Sequence, residues 1–221
     1  MTDQHLHPRV AKARTAFDDW ARTGRAEGME KHHGPVARRA FDRLSLAPAS
    51  WYLDIGCGNG YTVRWAAAAA PEGRAVGIDV APAMLERARA MSAAFGNTDF
   101  RLAAFPDHDL PAERFEGIFS MEVFYYLPDI DAALAATRNL LRPDGRFALV
   151  VDYYRENAAS HDFPSHVDAE MTLWSMAEWR SAFERAGLAV TEQTRIVLPA
   201  DEADEDWQAT EGSLLTLGTR A

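Results

Sequence analysis

Cysteine is nearly missing from this chain. Its 221 residues include one, Cys57, so no disulfide can close within it, and a reducing, cytoplasmic compartment is the simple expectation. Basic residues are in the minority: 23 Lys and Arg stand against 33 Asp and Glu, a formal net charge of −10. That balance argues against a broad nucleic-acid surface, while leaving room for a local basic patch. Apolar runs of membrane length are lacking too; Trp65 to Ala70 is far too short and ends at Pro71. The opening MTDQHLHPRV has no apolar core of the signal-peptide kind. No internal repeat or low-complexity linker divides the chain, so residues 1–221 are expected to form a single domain without a membrane partner. Nothing in the sequence signals an oligomeric state.

What is present is ordinary for a globular protein, with 48% hydrophobic and 25% charged residues. The informative stretch is WYLDIGCGNG, Trp51 to Gly60. A short apolar run with one carboxylate, Asp54, leads into Gly56, Gly58 and Gly60, and a helical pattern follows from about Tyr61. Strand, glycine turn and helix form the entry to a nucleotide-type pocket. Glycine reaches backbone angles other residues avoid and lets a ligand rest on the backbone. Unpaired N–H groups at the helix start can hold a carboxylate, hydroxyl or phosphate.

Before that turn, residues 1–48 read as a helical cover. A frayed start to about residue 8 precedes helices over about Arg9–Arg22 and Gly28–Leu46, placed on the edge or top of a sheet. Residues 49–152 read as the cofactor-binding core. Its strands are expected at the glycine turn and over Arg74–Asp79, Thr98–Ala103, Phe115–Met121 and Phe147–Asp152. Helices are expected over Thr62–Ala70, Ala81–Phe95 and Pro128–Leu141. This alternation predicts a mostly parallel sheet covered on both faces. Residues 153–174 are polar, aromatic and histidine-bearing, long for a plain connector, and read as a lid. Residues 175–221 return to the sheet, with a helix over Ser175–Ala186 and strands over Val190–Val197 and Ser213–Thr219. Residues 200–211 hold six acids and no Lys or Arg, which reads as a solvated loop.

Two cofactors compete for the turn. A dinucleotide site uses G-x-G-x-x-G, but here position 61 is Tyr and the third glycine falls one residue early. Asp54 so close to a pyrophosphate would also repel it. S-adenosylmethionine carries no phosphate, and its ammonium and cationic sulfur suit an acid such as Asp54 at the first strand's tip. Asp79, at the tip of the next strand, can accept both ribose hydroxyls. It lies 23 residues after Gly56, a spacing that nicotinamide sites share.

LDIGCGNG together with GIDVAPAML resembles the first and second motifs of the class I S-adenosylmethionine-dependent methyltransferases, in their small-molecule, methyltransferase-domain type 11-like form. LAAFPDHDLPAERFEGIFSMEVFYYLPD is similar to their third-to-fourth-strand region, and LAATRNLLRPDGRFALVV to their fifth strand and its approach. The resemblance covers about Trp51 to Asp152, with the blocks in order. It implies a Rossmann-like, three-layer α/β fold with a seven-stranded sheet whose last strand is antiparallel. It also implies that Asp54, Gly56, Cys57 and Gly58 meet the cofactor and that Asp79 binds its ribose. Val80 and Met84 would flank adenine, Ala104 and Phe105 would lie beside it, and Met121 would touch the methionine side. Relatives often carry Asp-Ala-Glu where this chain has Ala103-Ala104-Phe105, so backbone contact and aromatic packing replace a carboxylate. The stretch from Glu122 to Tyr126 lacks two of the three ligands of the quinone O-methyltransferases' Glu-x-x-Glu-His, so no metal is expected there.

The function this implies is methyl transfer to a small-molecule acceptor by in-line displacement. A nicotinamide-dependent oxidoreductase and a non-catalytic S-adenosylmethionine-binding protein are the alternatives. Should the acceptor need a base, the candidates are Glu122, His33, His108 and His161. Cys57 reads as a small filler of the turn rather than a nucleophile. His161, Asp162, His166 and Asp168 read as a solvated lid rather than metal ligands. His32 and His33 point about 100° apart on a helix, so cofactor-facing and solvated readings stay open. Tyr125, Tyr126, Tyr153 and Tyr154 suit either an acceptor pocket or a sheet edge. Trp174 and Trp179 read as packing residues.

Overall fold

The computed structural model describes residues 6–220; the first five of the residues expected to fray lie outside them. Seven strands form one sheet in the order β3-β2-β1-β4-β5-β7-β6. They are β1 (Trp51–Ile55), β2 (Arg74–Asp79), β3 (Thr98–Leu102), β4 (Phe115–Met121), β5 (Leu141–Val151), β6 (Leu188–Ile196) and β7 (Ser213–Arg220). β7 pairs antiparallel with both β5 and β6, and the pairings among β1 to β5 are parallel. The sheet reverses direction of growth beside β1, which puts a crevice at the carboxyl ends of β1 and β4.

Alternation along the strands feeds both faces. Leu53, Ile55, Ile118, Phe147 and Leu149 face one way and pack with helices α5 (Ile130–Leu140) and α7 (Met176–Arg185) through Leu134, Trp179 and Phe183. Tyr52, Phe119, Ala148 and Val150 face the other way. They meet α2 (Arg25–Phe41), α3 (Tyr61–Ala69) and α4 (Pro82–Met91) through Val36, Ala40, Val63 and Leu85. Each large apolar side chain so buried contributes about 1.5–3 kcal/mol. A third, smaller cluster joins α1 (Pro8–Thr23), α2 and α4, with Ala21, Ala26 and Met84 at its centre. The N-terminal helices therefore sit over the crevice end of the sheet.

Three sequence expectations need correcting. The second helix begins at Arg25, not Gly28, because Gly24 at φ 82° ends α1 and starts α2 without a spacer. β5 begins at Leu141, which pairs with Phe115; an irregularity follows, and pairing resumes at Arg146. The Pro143–Gly145 turn is thus absorbed into the strand. The acidic stretch 200–211 is not a free loop. A helix, α8 (Asp206–Thr210), forms inside it on a reciprocal Glu205–Gln208 cap, with Trp207 buried. Its acids find partners far off in sequence, Glu202 on Arg39 at 2.9 Å and Asp204 on His32 at 3.2 Å. The 153–174 segment contains a short helix, α6 (Phe163–Val167). No helix among the described residues is long and apolar enough to cross a membrane.

Candidate functional site

The glycine turn is clamped to the neighbouring strand. Gly56 and Cys57 both donate N–H bonds to the Ile78 carbonyl, at 2.8 and 3.0 Å. Gly56 sits at φ 77°, and a Cβ there would run into Val123, so the sequence can place only glycine at this point. Around Gly58, by contrast, a Cβ would meet nothing within 4 Å; its backbone is bare toward the cleft.

Asp79 at the tip of β2 organises this turn. Its Oδ2 accepts from the Gly58 N–H at 2.9 Å and its Oδ1 from the Ala81 N–H at 2.8 Å. Burial nevertheless lifts its pKa to about 6, the hydrogen bonds working against that rise. Asp54 is placed differently from expectation. It is 3% exposed and does not line the cleft; its carboxylate accepts from the Thr62 hydroxyl beneath the turn. Burial raises Asp54 to about 7, opposed by Thr62.

The crevice opens into one cavity of about 540 Å³, within the range of small-molecule sites. Gly56, Cys57, Gly58, Asp79, Val80, Met84, Ala104, Phe105 and Met121 all line it. The turn thus shares its cavity with the residues expected around adenine and methionine. Much of the remaining wall comes from outside the core: Phe17 and Trp20 of α1, Met29, Glu30, His32 and His33 of α2, and Phe163 and Met171 of the 153–174 segment.

The four base candidates separate. Glu122 and His33 line the cavity; His108 and His161 do not. His108 stacks on Phe105 with ring centroids 5.5 Å apart, and His161 Nε2 lies 3.1 Å from the Arg155 carbonyl. Glu122 adopts φ 60° just past β4. It accepts from the Tyr125 hydroxyl at 2.6 Å and the Asp152 N–H at 2.5 Å. Burial, then the nearby Asp152 carboxylate, push Glu122 well above the usual range. Burial and then His32 lower His33 to about 4, so its imidazole is neutral at neutral pH. Tyr125 and Tyr126 line the cavity, whereas buried Tyr154 donates to the Gly212 carbonyl at 3.0 Å. Trp179 is fully buried against Trp174. Among the described residues no group of three or more His, Cys, Asp or Glu is arranged to hold a metal.

Sequence reasoning missed Glu30 and Asn59, both on the cavity wall. Asn59 Nδ2 donates to Glu30 Oε2 at 2.9 Å, and Arg64 donates to Glu30 at 3.1 Å. The available signal was Asn59 itself, a polar residue inside the glycine turn whose partner had to come from elsewhere.

A family described as a methyltransferase domain matches residues 53–147. The chain is 39% identical over 137 residues to a nocamycin O-methyltransferase from Saccharothrix syringae, covering 60% of this chain and 48% of that protein. It is 32% identical over 143 residues to the aklanonic acid methyltransferase DauC of a Streptomyces species, covering 63% and 64%. The chain thus spans about half to two thirds of these curated relatives. Among solved structures, it matches a chain from a complex between the Haloferax volcanii Trm112 methyltransferase activator and a protein named with it as a methyltransferase. That match has 34% identity and a TM-score of 0.84, covering 92% of this chain and 96% of that one.

Proposed function

Because the chain belongs to the class I S-adenosylmethionine-dependent methyltransferase family, we propose that it transfers a methyl group from that cofactor to a small-molecule acceptor housed under the N-terminal helices. S-adenosylmethionine is the cofactor, and the cleft fits it: bare backbone at Gly58, a buried carboxylate at Asp79, and no lysine or arginine on the turn placed for paired phosphates. The observation that carries the proposal is the single cavity joining this turn to Glu122 and His33. The family sets aside a nicotinamide-dependent reaction.

When bound, the cofactor supplies a methyl group on a cationic sulfur, which leaves without help from an acid. The chain's own work is alignment and the exclusion of water. Asp79 would accept from the ribose hydroxyls, Val80, Met84, Ala104 and Phe105 would wall the adenine, and Met121 would lie on the methionine side. α1, α2 and the 153–174 segment shape the acceptor chamber, with that segment as its lid. Phe17, Trp20, Tyr125, Tyr126 and Phe163 give the chamber an aromatic wall, suited to a flat or apolar acceptor.

For a hydroxyl acceptor, His33 takes the proton. Its ring is uncharged at neutral pH and makes no protein hydrogen bond among the described residues. Glu122, raised by burial and the neighbouring Asp152, lies on the same cavity wall. A screen of apolar hydroxyl and amine acceptors with methyl-labelled cofactor tests this function. Label should pass to at least one small molecule; cofactor binding with no transfer to any of them would leave a binding protein instead.

A further inference from the structure

We propose that Glu30 and Asn59 seat the α-ammonium group at the methionine end of the cofactor; this rests on the methyltransferase reading above. Asn59 is 3% exposed and lines the cavity, as does Glu30. Asn59 Nδ2 donates to Glu30 Oε2 at 2.9 Å and to the Ala26 carbonyl at 3.3 Å. Both partners are acceptors only, which fixes the amide's orientation. Its Oδ1 is left buried without a hydrogen-bond partner, a state that costs stability until a donor arrives.

Glu30 is held in place rather than used up. Arg64 donates to both of its oxygens, at 3.2 and 3.1 Å, and also to the Asn59 carbonyl at 2.7 Å. The Glu30 carboxylate and the unpartnered Asn59 amide oxygen, on side chains that touch each other, offer acceptors to a cationic N–H donor, with Arg64 balancing the carboxylate's charge. The other acids of the region have partners or roles of their own, Asp79 being the one proposed for the ribose. Asp54 accepts from Thr62 outside the cavity, Asp79 accepts from two N–H groups of the turn, and Glu122 is bonded to Tyr125 and the Asp152 N–H. The role that the first-strand acid had on sequence grounds therefore passes to a helix outside the core. α2 becomes part of the cofactor site.

Calorimetry with three probes tests the seat: S-adenosylhomocysteine, decarboxylated S-adenosylmethionine and 5′-methylthioadenosine. The first two carry the amine, the second lacks the carboxylate, and the third lacks both. Glu30→Gln and Asn59→Ala should each weaken the first two at least tenfold and change the third by less than twofold. Equal weakening of all three, or no weakening of the first two, overturns the proposal. If neither variant folds, the native chain decides. Both amine-bearing probes must bind at least tenfold tighter than 5′-methylthioadenosine, and equal affinities overturn the seat. A native chain that binds neither S-adenosylhomocysteine nor 5′-methylthioadenosine defeats the methyltransferase reading itself.

Discussion

Gly58 and Asp79 are joined by a 2.9 Å hydrogen bond from the glycine N–H to the carboxylate Oδ2. Two strand tips 21 residues apart are thereby locked into one ligand-facing edge. Asp79→Ala removes this brace together with the acceptor proposed for ribose. S-adenosylhomocysteine affinity should fall at least tenfold, since charge-assisted hydrogen bonds are worth about 1.5–3 kcal/mol each. Calorimetry on the folded variant reads this, and unchanged affinity would put the ribose elsewhere.

Gly56→Ala tests the turn itself. The new Cβ meets Val123 and sits at φ 77°. Left-handed strain of about 1–2 kcal/mol and overpacking of about 1–3 kcal/mol act together. The denaturation midpoint should drop with little change in slope. Gly58→Ala, with open space around its Cβ, should lose less stability and more cofactor affinity.

Acidity has a definite sign here. Burial raises Asp54 to about 7 and Asp79 to about 6, from an ordinary carboxylate value of 3.8. Glu122 and Asp152 are raised as well. In this window the folded chain holds more protons at these acids than the unfolded chain, so stability falls as pH rises from about 4 toward 7. His33, lowered to about 4, and His108, also lowered by burial, work the other way below 6.5, two groups against four. Urea midpoints of the ligand-free protein should decline from pH 5 to pH 7.5, and Asp54→Asn should flatten the decline. A rising profile would refute the assignment.

His33→Gln separates binding from proton removal. S-adenosylhomocysteine affinity should stay within twofold. With a hydroxyl acceptor, turnover should fall about 100-fold or more, the lower end of general-base effects. An undiminished rate would mean that the acceptor needs no base from this ring.

Arg9 straps the 153–174 segment to its surroundings. From α1 it donates to the Glu170 carbonyl at 2.7 Å, the Tyr125 carbonyl at 2.6 Å and Thr172 Oγ1 at 2.8 Å. Arg9→Ala should speed proteolytic cleavage within residues 155–174 several-fold while leaving the far-UV spectrum intact. Cleavage at the native rate would show that other contacts hold the segment.

The strands were legible because their signals are local. Phe115 to Met121 is mostly apolar, with Phe115, Ile118, Phe119 and Met121, and bounded by breaks in pattern, and Asp79 follows the glycine turn at a spacing that chain geometry sets. What the sequence alone could not show depended on distance along the chain. Glu30 meets Asn59 across 29 residues, and His32 meets Asp204 across 172; no periodicity encodes either. The acids of 200–211 looked solvated because their partners, Arg39 and His32, lie on α2. Asp54 was placed at the correct strand tip, but which way its carboxylate turned was decided by Thr62, in the first turn of the next helix. His33 and His161 are alike as letters, and only the packing of α2 brings one of them to the cavity.

β7 stands between β5 and β6 in the sheet although it follows both in the chain. While the polypeptide is being synthesised, β5 therefore presents an unpaired edge and β6 has no neighbour at all until Ser213–Arg220 emerges. An unpaired edge of this kind is a template for association between chains. A nascent chain halted before that strand should be a client for chaperones, and maturation of the domain should await the ribosome's final few codons of this sheet.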